Sequence, residues 1–242
     1  MGPTRRAVAS VSRRLRRPEL LAAFYPGARQ ALREEIAIVA VLASAMRSDG
    51  AYVDVGANRG QVLAEAVRVA PGARHVAFEP IPALAAELAR EFPGVDCRQV
   101  AIGAEPGVAE FCHFRTLDGW SGLRRSPEIS DDQGDPEFIE VSVSTLDAEV
   151  RELAPTVVKI DVEGAELGVL QGGIEVLSEV RPLIVFEHVA AAANLYETHP
   201  EAVWDLLAGF SYEVFAVTGE GPFTRQEFAV ERSVVNWLAR PA

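Results

Sequence analysis

Lysine is almost absent from this chain: it has 22 arginines, and its single lysine is Lys159. Beside abundant Ala and Arg, that scarcity reads as a compositional bias and carries no mechanism by itself. Cysteine is scarce too, with only Cys97 and Cys112, both in apolar contexts and without CxxC or Cys/His spacing. A disulfide framework is excluded, and two small buried hydrophobes in a reducing compartment are expected. No run approaches the roughly 20 apolar residues of a membrane span. The opening "MGPTRRAVASVSRRLRRPELL" returns to arginine before an apolar core of signal-peptide type can form, so a cytoplasmic location is expected. Also missing are the G-x-G-x-x-G turn of dinucleotide sites and any N/D-P-P-Y/F base-flipping motif.

Charge is unevenly spread. The formal net charge is −12, yet residues 1–50 hold nine arginines against four acids, so residues 51–242 carry −17. An acidic body repels nucleic acid and anionic membrane, and neither is expected as a partner. The basic N-terminal part is expected to pack as helices against an acidic surface, this protein's own or that of a second copy in a homodimer.

With 49% apolar residues in 242, one large α/β domain is expected. Residues 4–17 and 29–47 read as helices, the second with Leu32, Ile36, Val39, Val41, Leu42 and Met46 on one broad face. From residue 51, strands alternate with helices: strands at 51–56, 74–80, 95–103 and 108–114, helices at 59–70 and 82–92. A polar loop at 115–137 precedes an alternating strand at 138–146, which reads as an exposed edge. Strands at 156–162, 182–187 and 211–217 then interleave with helices at 164–179 and 198–208, and 232–239 can return antiparallel at the edge. This order implies a doubly wound, mainly parallel Rossmann-like sheet over residues 50–242, with a helical extension at 1–49.

In such sheets, ligands bind beyond the carboxyl ends of the strands. The first strand ends "VDVGANRG" (53–60), where Gly56 and Gly60 free the backbone to turn and Asn58 tolerates the same geometry. Glu79, 23 residues after Gly56, closes the next strand and suits the two hydroxyls of a ribose. Asp54 stands just before the turn, poor company for pyrophosphate and suitable for an ammonium group. S-adenosylmethionine, with its amino acid end, sulfonium charge and no phosphate, therefore fits better than NAD.

These stretches, "YVDVGANRGQ", "VAFEP", "VAIGAEPGVAEF", "STLD", "VVKIDVEGAELGVLQGG" and "PLIVFEH", resemble the FkbM-type methyltransferases in order and spacing over about residues 50–190. The resemblance implies the doubly wound methyltransferase fold, S-adenosylmethionine as donor, and O-methylation of a hydroxyl on a natural product or sugar. Carried over, Asp54, Val55, Gly56, Ala57, Asn58 and Gly60 match the cofactor loop, and Glu79 with Pro80 the ribose site. Ala101 and Ile102 fall where the adenine passes. Ser121 and Trp120 match a serine-and-glycine segment near cofactor or acceptor. Residues 1–50 and about 195–242 lie outside the shared pattern, and in the family such parts shape the acceptor pocket.

The strand 156–162 should be central, with Asp161 on the opposite face from Ile160 and Val162, and Glu163 at the following turn. The next strand ends "FEH", bringing Glu187 and His188 to a neighbouring tip. His188, with an ordinary pKa of ~6.5, is the natural general base for an alcohol, and Asp161 can share that role or orient the hydroxyl. Asp161 is also placed to meet the cofactor. Against these readings, Glu163 and Glu166 can serve a helix N-terminus, Lys159 can pair with a nearby carboxylate, and His188 can be an ordinary buried histidine. Asp161, Glu187 and His188 could also ligate Mg²⁺, though nothing in their spacing requires it and a metal is not favoured. His113, before the polar loop, is a weaker site residue. Competing functions are an NAD-linked oxidoreductase and a non-catalytic cofactor-binding partner subunit.

Overall fold

A computed structural model describes residues 26–125, 134–199 and 201–242. The expected helix at 4–17 and the middle of the 115–137 loop lie outside them. The chain enters through helix α1 (Pro26–Ala45), then strand β1 (Ala51–Val55), α2 (Gln61–Val69), β2 (Arg74–Phe78) and α3 (Pro82–Glu91). Four strands follow: β3 (Asp96–Arg98), β4 (Ala101–Ile102), β5 (Gly107–Phe114) and β6 (Pro136–Ser144). Alternation resumes with α4 (Leu146–Val150), β7 (Val157–Ile160), α5 (Glu166–Gln171), β8 (Leu183–Glu187) and α6 (Glu201–Gly209). Strand β9 (Tyr212–Ala216), helix α7 (Arg225–Val230) and β10 (Asn236–Pro241) close the chain.

Seven strands form the main sheet in the order β3-β2-β1-β7-β8-β10-β9. The β1, β2, β3, β7 and β8 pairings are parallel, and β10 runs antiparallel to both β8 and β9. The antiparallel edge is thus a pair, with β10 held on both sides and β9 outermost. Strand order reverses between β1 and β7, which opens a crevice at their carboxyl ends. Both strands are buried along their whole length, as a sheet covered on two faces requires. Alternation sorts their side chains into two cores. Val53, Val55, Val158 and Ile160 pack with Leu170, Leu177 and Phe186 on one face. Tyr52 and Val157 pack with α1 and α2 on the other, where Ile38 and Leu42 meet Leu63 and Ala66.

The structure corrects four expectations. The stretch 95–103 is two strands: β3 joins the main sheet, and β4 belongs to a separate three-stranded sheet of order β4-β6-β5. Strand β6 is therefore central in that sheet, not an exposed edge, and its polar alternation reflects one face open to solvent. The helix expected over 164–179 breaks after Gln171, because Gly172 packs against Gly103; a Cβ there would lie 2.1 Å from the Gly103 carbonyl oxygen. On α1 the buried positions are Glu34, Ile38 and Leu42, followed by Met46 just past its end, whereas Ile36 is 61% exposed. Among the described residues no helix is long and apolar enough to cross a membrane.

Phe186 is fully buried, and Val230 is 66% exposed. Urea unfolding should show Phe186→Ala losing about 3–5 kcal/mol and Val230→Ala less than about 0.5.

Candidate active site

The parallel register sets Asp54 directly beside Lys159. Both point to the α1–α2 face, away from the valines that flank them. The Lys159 Nζ lies 3.1 Å from Asp54 Oδ1 and 3.5 Å from Asp161 Oδ2, and it donates to the Gly56 carbonyl at 3.0 Å. The Tyr52 hydroxyl donates to Asp54 Oδ2 at 3.2 Å. Burial alone would depress the ammonium, but the Asp54 and Asp161 carboxylates outweigh it and hold Lys159 above the ordinary lysine value. Asp54, 1% exposed, therefore faces the protein's own cation and not a ligand's ammonium. Lys159 thus pairs with a nearby carboxylate, as the sequence allowed, and it also fastens the turn after β1.

That turn needs glycine at position 56, where φ is +76° and a Cβ would sit 1.9 Å from the Asp161 carbonyl oxygen. The Gly56 and Ala57 amides both donate to the Phe78 carbonyl at the tip of β2. Glu79 follows, buried, with Oε2 accepting from the Asn58 amide at 2.8 Å and Oε1 from the Ile81 amide at 2.9 Å. Burial pushes its carboxyl up to about 7 against the pull of those two amides. Gly60 also turns in the left-handed region, with φ +72°, and serves packing as well: a Cβ would press on Leu88 and Phe92 of the α3 region at 2.7 Å.

A cavity of about 720 Å³ opens over these strand ends. Val55, Gly56, Ala57, Asn58, Glu79 and Pro80 line one side, with Ala101, Ile102, Trp120 and Ser121 above them. Ser121 is buried and its hydroxyl accepts from the Phe114 amide at 3.0 Å, which anchors the loop. Asp161, Glu163 and Glu187 also line it, beside Lys159. Asp54, Gly60, His113 and His188 are not on its wall. Sequence reasoning missed Phe111, Leu123 and above all Leu32, Glu35, Ile36 and Val39 of α1. Only the helical periodicity of α1 hinted at these.

The absence of His188 is a correction with a simple cause. Successive strand residues face opposite ways, so the sheet that turns Glu187 into the cavity turns His188 out of it. Its ring is buried against Phe228, centroids 5.2 Å apart, with Nδ1 3.8 Å from Glu166 Oε2. Glu166 is itself buried and its Oε1 accepts from the Gly164 amide at 2.8 Å, bracing the turn that carries Glu163. Glu163 and Gly164 both have positive φ, 57° and 103°. One oxygen each from Asp161, Glu163 and Glu187 lies within 4.8 Å of the others, close enough to share a cation or a hydroxyl group. Of the four groups expected at these strand tips, Asp161, Glu163 and Glu187 line the cavity and His188 does not.

A family model described as "Methyltransferase FkbM domain" matches residues 54–214. The chain is 30% identical over 152 residues to the methyltransferase sdnD of Sordaria araneosa, covering 50% of this chain and 59% of that protein. It therefore spans under two thirds of that relative's length. Among solved structures, the precorrin-6y C5,15-methyltransferase of Geobacter metallireducens aligns at 16% identity and TM-score 0.40, over 73% of this chain and 71% of that one. The plantazolicin methyltransferase BpumL with SAH aligns at 11% identity and TM-score 0.41, over 99% and 91%.

Glu79 binds its proton more tightly folded than unfolded, so its contribution is full below about pH 4.5 and is lost as pH rises through about 7. Urea midpoints should fall across that window, and Glu79→Gln should flatten the fall. Gly56→Ala, with a Cβ forced against the Asp161 carbonyl, should lower the urea midpoint or leave the chain unfolded by circular dichroism; an unchanged midpoint would contradict the close approach.

Proposed function

This chain belongs to the FkbM methyltransferase family, and from that premise we propose that it transfers a methyl group from S-adenosylmethionine to a hydroxyl oxygen of a small-molecule natural product or sugar. One observation carries the reading: Glu79, held by two backbone amides, shares a single cavity with the carboxylates of Asp161, Glu163 and Glu187. Such a wall suits a ribose at Glu79 and positive charge at the three carboxylates. Among the described residues its cations are Arg59, bonded to Glu87, and Lys159, already paired, which is no site for pyrophosphate. Residues 50–242 form the catalytic domain in this reading, and its place is the cytoplasm.

Glu79 would hold the ribose hydroxyls, the backbone of 56–58 would receive the amino acid end, and Ala101 and Ile102 would flank the base. S-adenosylmethionine supplies, when bound, a methyl group on sulfonium sulfur, activated for in-line displacement. The chain's own task is to hold the acceptor oxygen in line and to remove its proton. Asp161 is committed to Lys159, and Glu163 is fixed by its left-handed turn. Glu187, at the tip of β8, is assigned the proton. With donor and acceptor bound, the Glu187 carboxylate would accept the hydroxyl proton and pass it on to water. Asp161 and Glu163 orient the hydroxyl.

Calorimetry should show S-adenosylhomocysteine binding, weakened at least about tenfold by Glu79→Ala. Glu187→Gln should keep that affinity within about threefold yet lower tritiated-methyl transfer to a panel of sugars and phenols about a hundredfold. Absence of S-adenosylhomocysteine binding to the folded wild type would sink the reading.

A further inference from the structure

Helix α1 is held in two ways. Its C-terminal half is buried by Ile38 and Leu42, with Met46 just beyond it, against α2 and the sheet. Toward its N-terminus, a buried carboxylate among the described residues ties it to the sheet. Glu34, 2% exposed, accepts from the Asn236 amide at 3.1 Å and from Asn236 Nδ2 at 2.9 Å through Oε2. Its Oε1 accepts from Gln30 Nε2 at 2.7 Å and lies 3.4 Å from the Val235 amide. Asn236 stands in register with Glu187, the acid assigned the proton. The clamp thus ties the helix to the strand junction beside the reacting end of the cavity.

What the clamp positions is largely apolar. Leu32, Ile36 and Val39, on successive turns, line the cavity from α1 together with Ile38 and a single acid, Glu35. Ile36 is one of five large hydrophobics exposed among the described residues, and it is the one that lines the cavity. A large exposed apolar side chain on a cavity wall is a binding surface for apolar matter. The remaining charge on the wall is predominantly carboxylate, which rejects an anion.

We propose that Leu32, Ile36 and Val39 form the specificity wall for the acceptor, that Glu34 is the positioning residue that sets this wall over the site, and that the acceptor is an amphipathic, non-anionic molecule. Its hydroxyl faces Asp161, Glu163 and Glu187, and its apolar body lies on α1. Phosphorylated and carboxylated acceptors are excluded. The class of acceptor rests on the methyltransferase reading; the apolar wall does not.

The test uses the full chain saturated with S-adenosylhomocysteine and two fluorescent probes, neutral Nile red and anionic anilinonaphthalene sulfonate. Nile red should bind, with the anionic dye at least about tenfold weaker. Ile36→Glu should weaken Nile red about tenfold or more, and Val230→Glu, on a distant exposed site, should not. Glu34→Ala should weaken it similarly with S-adenosylhomocysteine affinity kept within about threefold, and Glu34→Gln, which retains an acceptor for the Asn236 amide, should recover part of the loss. Preserved S-adenosylhomocysteine binding certifies each variant as folded. Nile red affinity unchanged within twofold by Ile36→Glu, or an anionic dye bound as tightly as the neutral one, overturns the proposal. If S-adenosylhomocysteine fails to bind while the Nile red pattern holds, the methyltransferase reading falls and the wall stands.

Discussion

The arrangement of the site depends on one buried ion pair, Lys159 with Asp54, in the two central strands. Placing an ammonium and a carboxylate between covered faces is costly unless each finds the other and their remaining hydrogen bonds are met. Here parallel register puts them side by side, Tyr52 meets the free oxygen of Asp54, and the Gly56 carbonyl takes another Lys159 proton. A pair that could have been merely tolerated thereby becomes a fastening. It couples the end of β1 to the end of β7, the two strand tips between which the chain reverses its order. Asp161, the third carboxylate around Lys159, is held at the crevice by the same charge.

Around that fastening the cavity lining has two different origins. One part comes from local βα turns: Gly56, Asn58 and Glu79 lie within two consecutive strand ends and are bonded by backbone amides. The other part is assembled at long range. Glu187 comes from β8, Glu163 from a strained turn braced by Glu166, and the apolar wall from a helix that precedes the sheet altogether.

This difference in range decides what could be read from the sequence. Alternating strands and helices, the glycine turn and the spaced acid are local patterns, so the parallel sheet, the place of Gly56 and Glu79, and the central position of β7 were legible. Pairing across the chain was not. Nothing local says that Asp54 would spend its charge on Lys159, because that follows from register. His188 was misplaced by one residue of alternation, since "FEH" does not say which of its two polar residues faces the crevice. Ile36 looked like core on periodicity, yet the core face of α1 is offset toward Glu34 and Ile38, and only the position of Asn236 explains a buried glutamate there. The splitting of 95–103 into two sheets likewise needed β6, which arrives some 35 residues later.

The central claim, that Lys159 and Asp54 act as one unit, is tested most directly by a double-mutant cycle on unfolding free energy with Asp54→Asn and Lys159→Met. Each single change should cost about 3–5 kcal/mol by stranding a buried partner, and the double should cost at least about 2 kcal/mol less than their sum. Additivity within about 0.5 kcal/mol would contradict the account.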